Sequence, residues 1–363
     1  MPLLKHSLGW LLLAVLLVSA AAAAEQDGRQ LRPLFDEAWE FDLQEDPLFA
    51  SQAGDHRHDD RLPRVTLADY RRRLEKEREF LERLRQIDRS RLSSQEQTSY
   101  DIFARLRQNQ IKEYEFQSHL TPITNRSGFH IEFPELPKNS RLNDAKDYEN
   151  YVSRLRAFEQ FVDDHIELMR AGIQAGIVLP AVSLADYQRP LEAQIVDDAE
   201  QSLLYEPFRK FPASISSADR QRLQQAGRAA ISESVVPGYR KFFDFLRDEY
   251  VPHARDQIAA AALPKGREFY RHRVRRFTTL DVTPQAVHET GLAEVARIRK
   301  EMQEVIAHTG FEGDFAAFVE FLRSDPQFYV ETPEALLRAV SLVLKRMDGS
   351  LPKLFGTLPR TPY

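Results

Sequence analysis

The 363-residue chain contains no cysteine, which removes a disulfide framework, a thiol nucleophile and a lipobox cysteine for lipid attachment. It also lacks long runs of one charge sign: 50 lysines and arginines face 55 aspartates and glutamates, for a formal net charge of −5. That spread argues against nucleic acid as the main partner. There is no G-x-S-x-G elbow, no G-x-x-x-x-G-K-[ST] loop and no G-x-G-x-x-G, so serine chemistry of the hydrolase fold and the common nucleotide folds have no support. Strand signals are scarce, and no fixed-period repeat or low-complexity linker occurs. What remains is a composition of 42% hydrophobic and 29% charged residues, ordinary for a folded protein able to bury a large core.

Residues 1 to 24 read as a signal peptide. Lys5 supplies the basic start, Leu8 to Val18 the apolar centre, and Ala20 to Ala24 the small residues a signal peptidase accepts. The apolar run is short for a span of about 20 residues, so no stable membrane span is expected after cleavage. The mature chain, 25–363, is expected to be exported, periplasmic or secreted. Without cysteine, its stability must rest on core packing.

Helix starts recur along that chain. Thr66 with Asp69 opens a segment carrying Leu74, Phe80, Leu81, Leu84 and Ile87, and Ser93 with Glu96 opens one carrying Tyr100, Phe103, Leu106 and Ile111. Both have the capping-box pattern before an amphipathic run. A third helix is expected from Asp144 through Tyr148, Leu155 and Val162 to Met169, ending near Gly172 and Gly176. Thr283-Pro284 and Thr332-Pro333 each place a hydroxyl at the N-cap and proline at the first helical position. Pro237 and Pro252 interrupt helical patterns, so 216–262 reads as successive or kinked helices. The stretch from Pro122 to Pro137 lacks helical periodicity. Alternation at Phe129, Ile131 and Phe133 allows at most a short strand or hairpin there. The expected class is all-α, in one large multi-helix domain.

Residues able to carry chemistry are few. A zinc-peptidase helix needs histidines at i and i+4 with glutamate beside the first; His288-Glu289 begins that pattern, but Leu292 stands where the second histidine is required. His56 and His58 lie among Asp55, Asp59 and Asp60, residue types that can hold a divalent cation. A polar loop joining two helices more often solvates such charges, and no metal site is assigned. No catalytic residue is assigned either. Arg126, Gly128 and His130 sit in the irregular loop, where binding residues concentrate on helical scaffolds, and they form the substrate-binding expectation. The basic cluster from Arg267 to Arg276 reads as a solvated or salt-bridged face. Gly172-x-x-x-Gly176 has membrane-dimer spacing but suits a helix end better.

The order of GDHRHDDRL, NDAKDYENYVSRL, LLYEPFRKFP, LRDEYVPHAR, LPKGREFYRHRVRRFTT, TTLDVTPQAVHETGLAEVARIRKEM, FLRSDPQFYVETPEALL and LPKLFGTLPRTPY resembles the DUF885 family, whose members look like helical zinc metallopeptidases of the gluzincin type. The resemblance covers essentially the whole mature chain. It implies a helical protein with a deep groove, with zinc held by His-Glu-x-x-His and a downstream glutamate beyond LPRTPY, and peptide hydrolysis by the complete chain. Those ligands are absent from this sequence. The expectation is therefore an N-terminal portion, inactive as written, with zinc only in the complete family protein. Its partners would be peptides and the missing C-terminal half. The alternative is a non-catalytic helical protein that binds peptides or a partner.

Overall fold

The computed structural model describes residues 30–358 and Arg360, so the signal-peptide reading of residues 1–24 lies outside the described residues. The chain divides into two compact units at Asp281 and Val282. No strand occurs among the described residues, and the all-α expectation holds.

In the first unit, α1 (30–45), α2 (Pro47–Gln52), α3 (Leu67–Arg85) and α4 (Ser94–Glu115) follow one another. Thr66 and Ser93 form the two expected capping boxes, each accepting from the N3 backbone while the N3 acid reaches back. Leu34, Ala38, Phe80, Leu84 and Phe103 bury one hydrophobic cluster between α1, α3 and α4. Arg107 of α4 enters that cluster. It bonds Glu77 of α3 at 2.9 Å and Asp42 of α1 at 2.7 Å, and its guanidinium lies 4.9 Å from the Phe103 ring centre.

Burial, partly offset by Arg107, pushes the Glu77 carboxyl up from 4.5 to about 7, and Glu77 Oε2 has no hydrogen-bond partner. Because the folded value is raised, the contribution of Glu77 is full below pH 4.5 and is lost as pH rises to about 7. Two to three pKa units at 1.36 kcal/mol each amount to roughly 3 kcal/mol. Glu77→Gln should abolish this loss. Urea denaturation should then show the variant gaining on the wild type between pH 5 and pH 8. A pH-independent difference would mean that Arg107 keeps the carboxylate ionised throughout.

The second cluster is larger and is built on α6 (Ala145–Arg156), α7 (Phe158–Ala175), α9 (Ser217–Ala230) and α10 (Val236–Phe245), with the short helices α5 (Phe129–Glu132) and α8 (Gln188–Glu192) tucked beside them. The helix expected from Asp144 to the glycines is split by one residue, Ala157, whose φ and ψ of −76° and −9° stay near helical. Gly176, with φ of 68°, caps α7 as expected.

Two regions left open by the sequence take definite form. The Phe129/Ile131/Phe133 alternation forms no strand. Gly128 O accepts from both Ile131 and Glu132 N–H groups, and a 3-10 helix continues over Phe133–Asn139. Pro134 and Pro137 could donate nothing to a ladder, whereas Phe129, Phe133 and Leu136, at helical spacing, are all buried. The successive helices expected over 216–262 form, and from residue 217 to 253 they follow one another without a break. Ahead of Pro237 the chain widens into a π-helix at Ile231–Val235, with Val236 N–H bonded to Ile231 O. Ahead of Pro252 it does so again at Leu246–Tyr250, with Val251 N–H bonded to Leu246 O. Each i→i+5 step shifts the ladder just before a residue with no N–H, and the proline is absorbed without a break.

Helix α11 (Gly266–Thr278) closes the first unit against α4. Glu113 Oε1 receives His272 Nε2 at 3.3 Å, Arg273 at 3.0 Å and a short bond from Arg276. The basic cluster is thus partly a salt-bridged face. The second unit contains α12 (Pro284–His308), α13 (Phe315–Ser324), α14 (Pro333–Asp348) and α15 (Leu351–Leu354). Thr283 and Thr332 cap α12 and α14 with proline at the start, as expected. Phe311, Phe318, Phe321 and Phe328 form an aromatic cluster around α13.

Candidate functional site

The loop ahead of α5 is seated on α7 by a glycine. A Cβ at Gly172 would lie 2.8 Å from both Leu120 O and Ile177 O, so only glycine lets the 118–123 segment run so close. Further on, Thr124 and Ser127 close a tight turn through their hydroxyls and backbone. Gly128 then takes φ of 124°, and a Cβ there would approach Ile123 to 3.0 Å and His130 Nδ1 to 3.2 Å.

This geometry separates the three residues expected to bind substrate. Arg126 points to solvent at the loop tip, Gly128 is the pivot, and His130 is buried at 4% exposure. His130 packs beside Phe242, with ring centres 5.9 Å apart, and its Nδ1 has no hydrogen-bond partner. His165 of α7 lies in the same aromatic surroundings, 4.2 Å from the Phe129 ring centre and 4.4 Å from that of Phe161. A neutral His165 donates Nδ1–H to Phe161 O at 2.7 Å. Burial pushes both imidazoles down from 6.5 to about 4. They are neutral core side chains at neutral pH, and the three loop residues do not converge on one surface.

The His56/His58 loop is buried at its centre rather than solvated. Its organiser is Arg154 of α6, at 2% exposure. Arg154 donates to Arg61 O at 2.9 Å, to Pro47 O at 2.9 Å, to Ser51 Oγ at 2.7 Å and to His58 O at 3.3 Å. Asp59 sits 3.6 Å away, accepting from Ser51 Oγ and bonded to His56 Nδ1 at 2.9 Å. Zinc, which the resemblance attaches to the complete family protein, does not fit these donors. Both Asp59 oxygens are engaged, a guanidinium occupies the position of the cation, and His58 Nδ1 meets Arg61. Among the described residues, no group of three or more histidine, aspartate or glutamate side chains could hold a metal ion. His288 is exposed on α12, with Leu292 one turn on.

One feature that could receive a ligand escaped the sequence reading. A cleft of about 670 Å³ lies between α7 and the α10 run, and its walls include Asp163, Glu167, Arg170, Arg240 and Lys241. Arg170 forks onto Glu249 at 2.7 and 2.6 Å. Lys241 bridges Glu159 at 2.8 Å and Asp163 at 2.9 Å. Charges of both signs thus line one groove, with the apolar floor given by Ile166 and Phe245. The signal was present in the charged i, i+4, i+7 face of α7 (Asp163, Glu167, Arg170) and in Pro237. The π-helices at both ends of α10 are a type of distortion frequent at functional sites.

A family profile described as "Bacterial protein of unknown function (DUF885)" matches residues 47–363. No curated protein matches the chain. Among solved structures, the crystal structure of "the putative lipoprotein from Colwellia psychrerythraea" is similar with a TM-score of 0.82 and 19% identity, over 92% of this chain and 61% of that one. The likeness is one of fold, and the chain spans about three-fifths of that relative's length.

Proposed function

From membership of the DUF885 family, bacterial proteins of unknown function, we propose that this chain is the peptide-binding, non-catalytic portion of an exported peptidase-like protein of the zinc metallopeptidase type. The observation that carries the reading is the α7/α10 cleft, whose mixed charges over an apolar floor suit the backbone, termini and side chains of an extended peptide. The resemblance supplies the peptidase part: hydrolysis and zinc would belong to the complete family protein. Export is supported by the signal-like residues 5–24 and by the relative's description as a lipoprotein. No helix among the described residues is long and apolar enough to cross a membrane.

The test uses purified residues 25–363 and a mixed library of short peptides. Expected results are saturable peptide binding, no hydrolysis, and no stoichiometric uptake of zinc. Lys241→Glu, which reverses a charge in the wall, should weaken binding about tenfold, as for the loss of one charged contact. Arg126→Ala, at the loop tip, should leave it unchanged. Hydrolysis by the purified chain would overturn the inactive reading, and equal binding by the Lys241 variant would move the site elsewhere. The second reading, a partner-binding protein without any catalytic counterpart, shares the cleft and differs only in predicting a stable native product with no further polypeptide.

A further inference from the structure

Two helices of the second unit present apolar stripes to solvent. On α14, Leu336, Val340, Val343 and Met347 recur at i, i+4, i+7 and i+11, and each is between 44% and 57% exposed. On α12, Val295, Ile298, Met302 and Val305 recur at i, i+3, i+7 and i+10, at 42% to 65% exposure. This spacing is the one by which amphipathic helices bury a face against another helix. The polar side of α12 is already satisfied within the helix, since Arg297 pairs with Glu294 at 2.7 Å and with Glu301 at 2.7 Å. An occupant would therefore be held by apolar contact. Two contiguous stripes of this length exceed the scattered exposed hydrophobes of an ordinary monomer surface.

The solved relative of the same fold is the longer chain. It matches 92% of this chain but only 61% of its own, so more than a third of the relative is additional polypeptide with no counterpart here. We propose that the α12 and α14 stripes are the seat of apolar helices from such additional polypeptide, joined to this chain in the native protein. The inference rests on the reading of this chain as a portion of a longer protein, but it concerns a different surface from the α7/α10 cleft and stands whether or not that cleft binds peptides.

These 363 residues contain no cysteine, so labelling is read at the introduced position by peptide mapping, against the unsubstituted native product as blank. Val343→Cys, on the stripe, and Arg338→Cys, on the exposed polar side of the same helix, are each placed in the gene at its own locus. The native product is then labelled with a maleimide and weighed by intact mass spectrometry. Expected is labelling at position 343 slowed on the order of 100-fold relative to position 338, in a product that carries polypeptide beyond these 363 residues. In residues 25–363 produced alone, both positions should label at similar rates. Equal rates in the native product would overturn the proposal. So would slow labelling at 343 in the chain alone: as a monomer it would mean the chain covers its own stripes, and as a dimer that a second copy does.

Discussion

Arg154→Met is expected to destabilise the first unit by about 3–5 kcal/mol, the usual cost of removing one member of a buried charged network. Methionine fills much of the volume but donates nothing. The carbonyls of Arg61, Pro47 and His58 and the Ser51 hydroxyl would all lose a donor. Asp59 would lose the guanidinium 3.6 Å from it in the buried centre of the loop. A buried acceptor left unpaired costs about 1–3 kcal/mol by itself. Arg154→Lys should fall in between, because one ammonium cannot reach both Arg61 O and Pro47 O as a planar fork does. The control is Arg156→Met, exposed on the same helix, which should stay within about 0.5 kcal/mol. Chemical denaturation of the three variants decides the matter. Equal losses for Arg154→Met and Arg156→Met would remove Arg154 from its role as organiser of residues 47–61.

The same arginine shows where the sequence stops being readable. Its partners lie about a hundred residues away, on a loop whose own composition suggested solvated charge. Local signals fared differently. The boxes at Thr66/Asp69 and Ser93/Glu96 close within one turn, and both form as expected. Phe129, Ile131 and Phe133 illustrate an ambiguous short window: period 2 suggested a strand, while the buried set of Phe129, Phe133 and Leu136 follows a helical period. Near Pro237 and Pro252 the residues correctly announced an irregularity. Whether a proline kinks a helix or is absorbed by a π-turn depends on what packs around it, here α7 and α8 against α10. At the candidate site, the sequence marked a histidine in a loop but could not show which way it points. His130 turns inward onto Phe242. The cleft instead uses ordinary-looking charges on α7 and α10, brought together only by the packing of those two helices.

Acidification should weaken the fold between pH 6.5 and pH 4, and buried histidines set that window. His130 and His165 are pushed down to about 4 by burial, each also feeling its surroundings: His165 disfavours a charge on His130, while Phe161 O and Asp164 partly support one on His165. His119, stacked between Tyr70 and Tyr114 with ring centres 4.6 and 4.9 Å away, is likewise held at about 4 by desolvation. In the unfolded chain these groups take up protons from about pH 6.5, whereas in the native state they resist until about 4. Their contribution is therefore complete above pH 6.5 and is lost as pH falls toward 4. Each accounts for at most about 3 kcal/mol. Glu77 acts in the opposite direction over an overlapping range and offsets roughly one of the three. The net slope is thus a loss of stability on acidification, and it should be steeper in Glu77→Gln. The double variant His130→Gln, His165→Gln removes two titrating groups while keeping polar side chains of similar size. Its stability at pH 7.5 should be lower than that of the wild type, because His165 Nδ1–H no longer satisfies Phe161 O. Between pH 6.5 and 4.5 the two curves should converge by several kcal/mol. Parallel curves across that range would show that the acid sensitivity resides in other groups. In imidazole NMR titration of the native wild type, the His119, His130 and His165 resonances should stay unmoved down to about pH 5, and the loss of two of them in the double variant would locate the effect in His130 and His165.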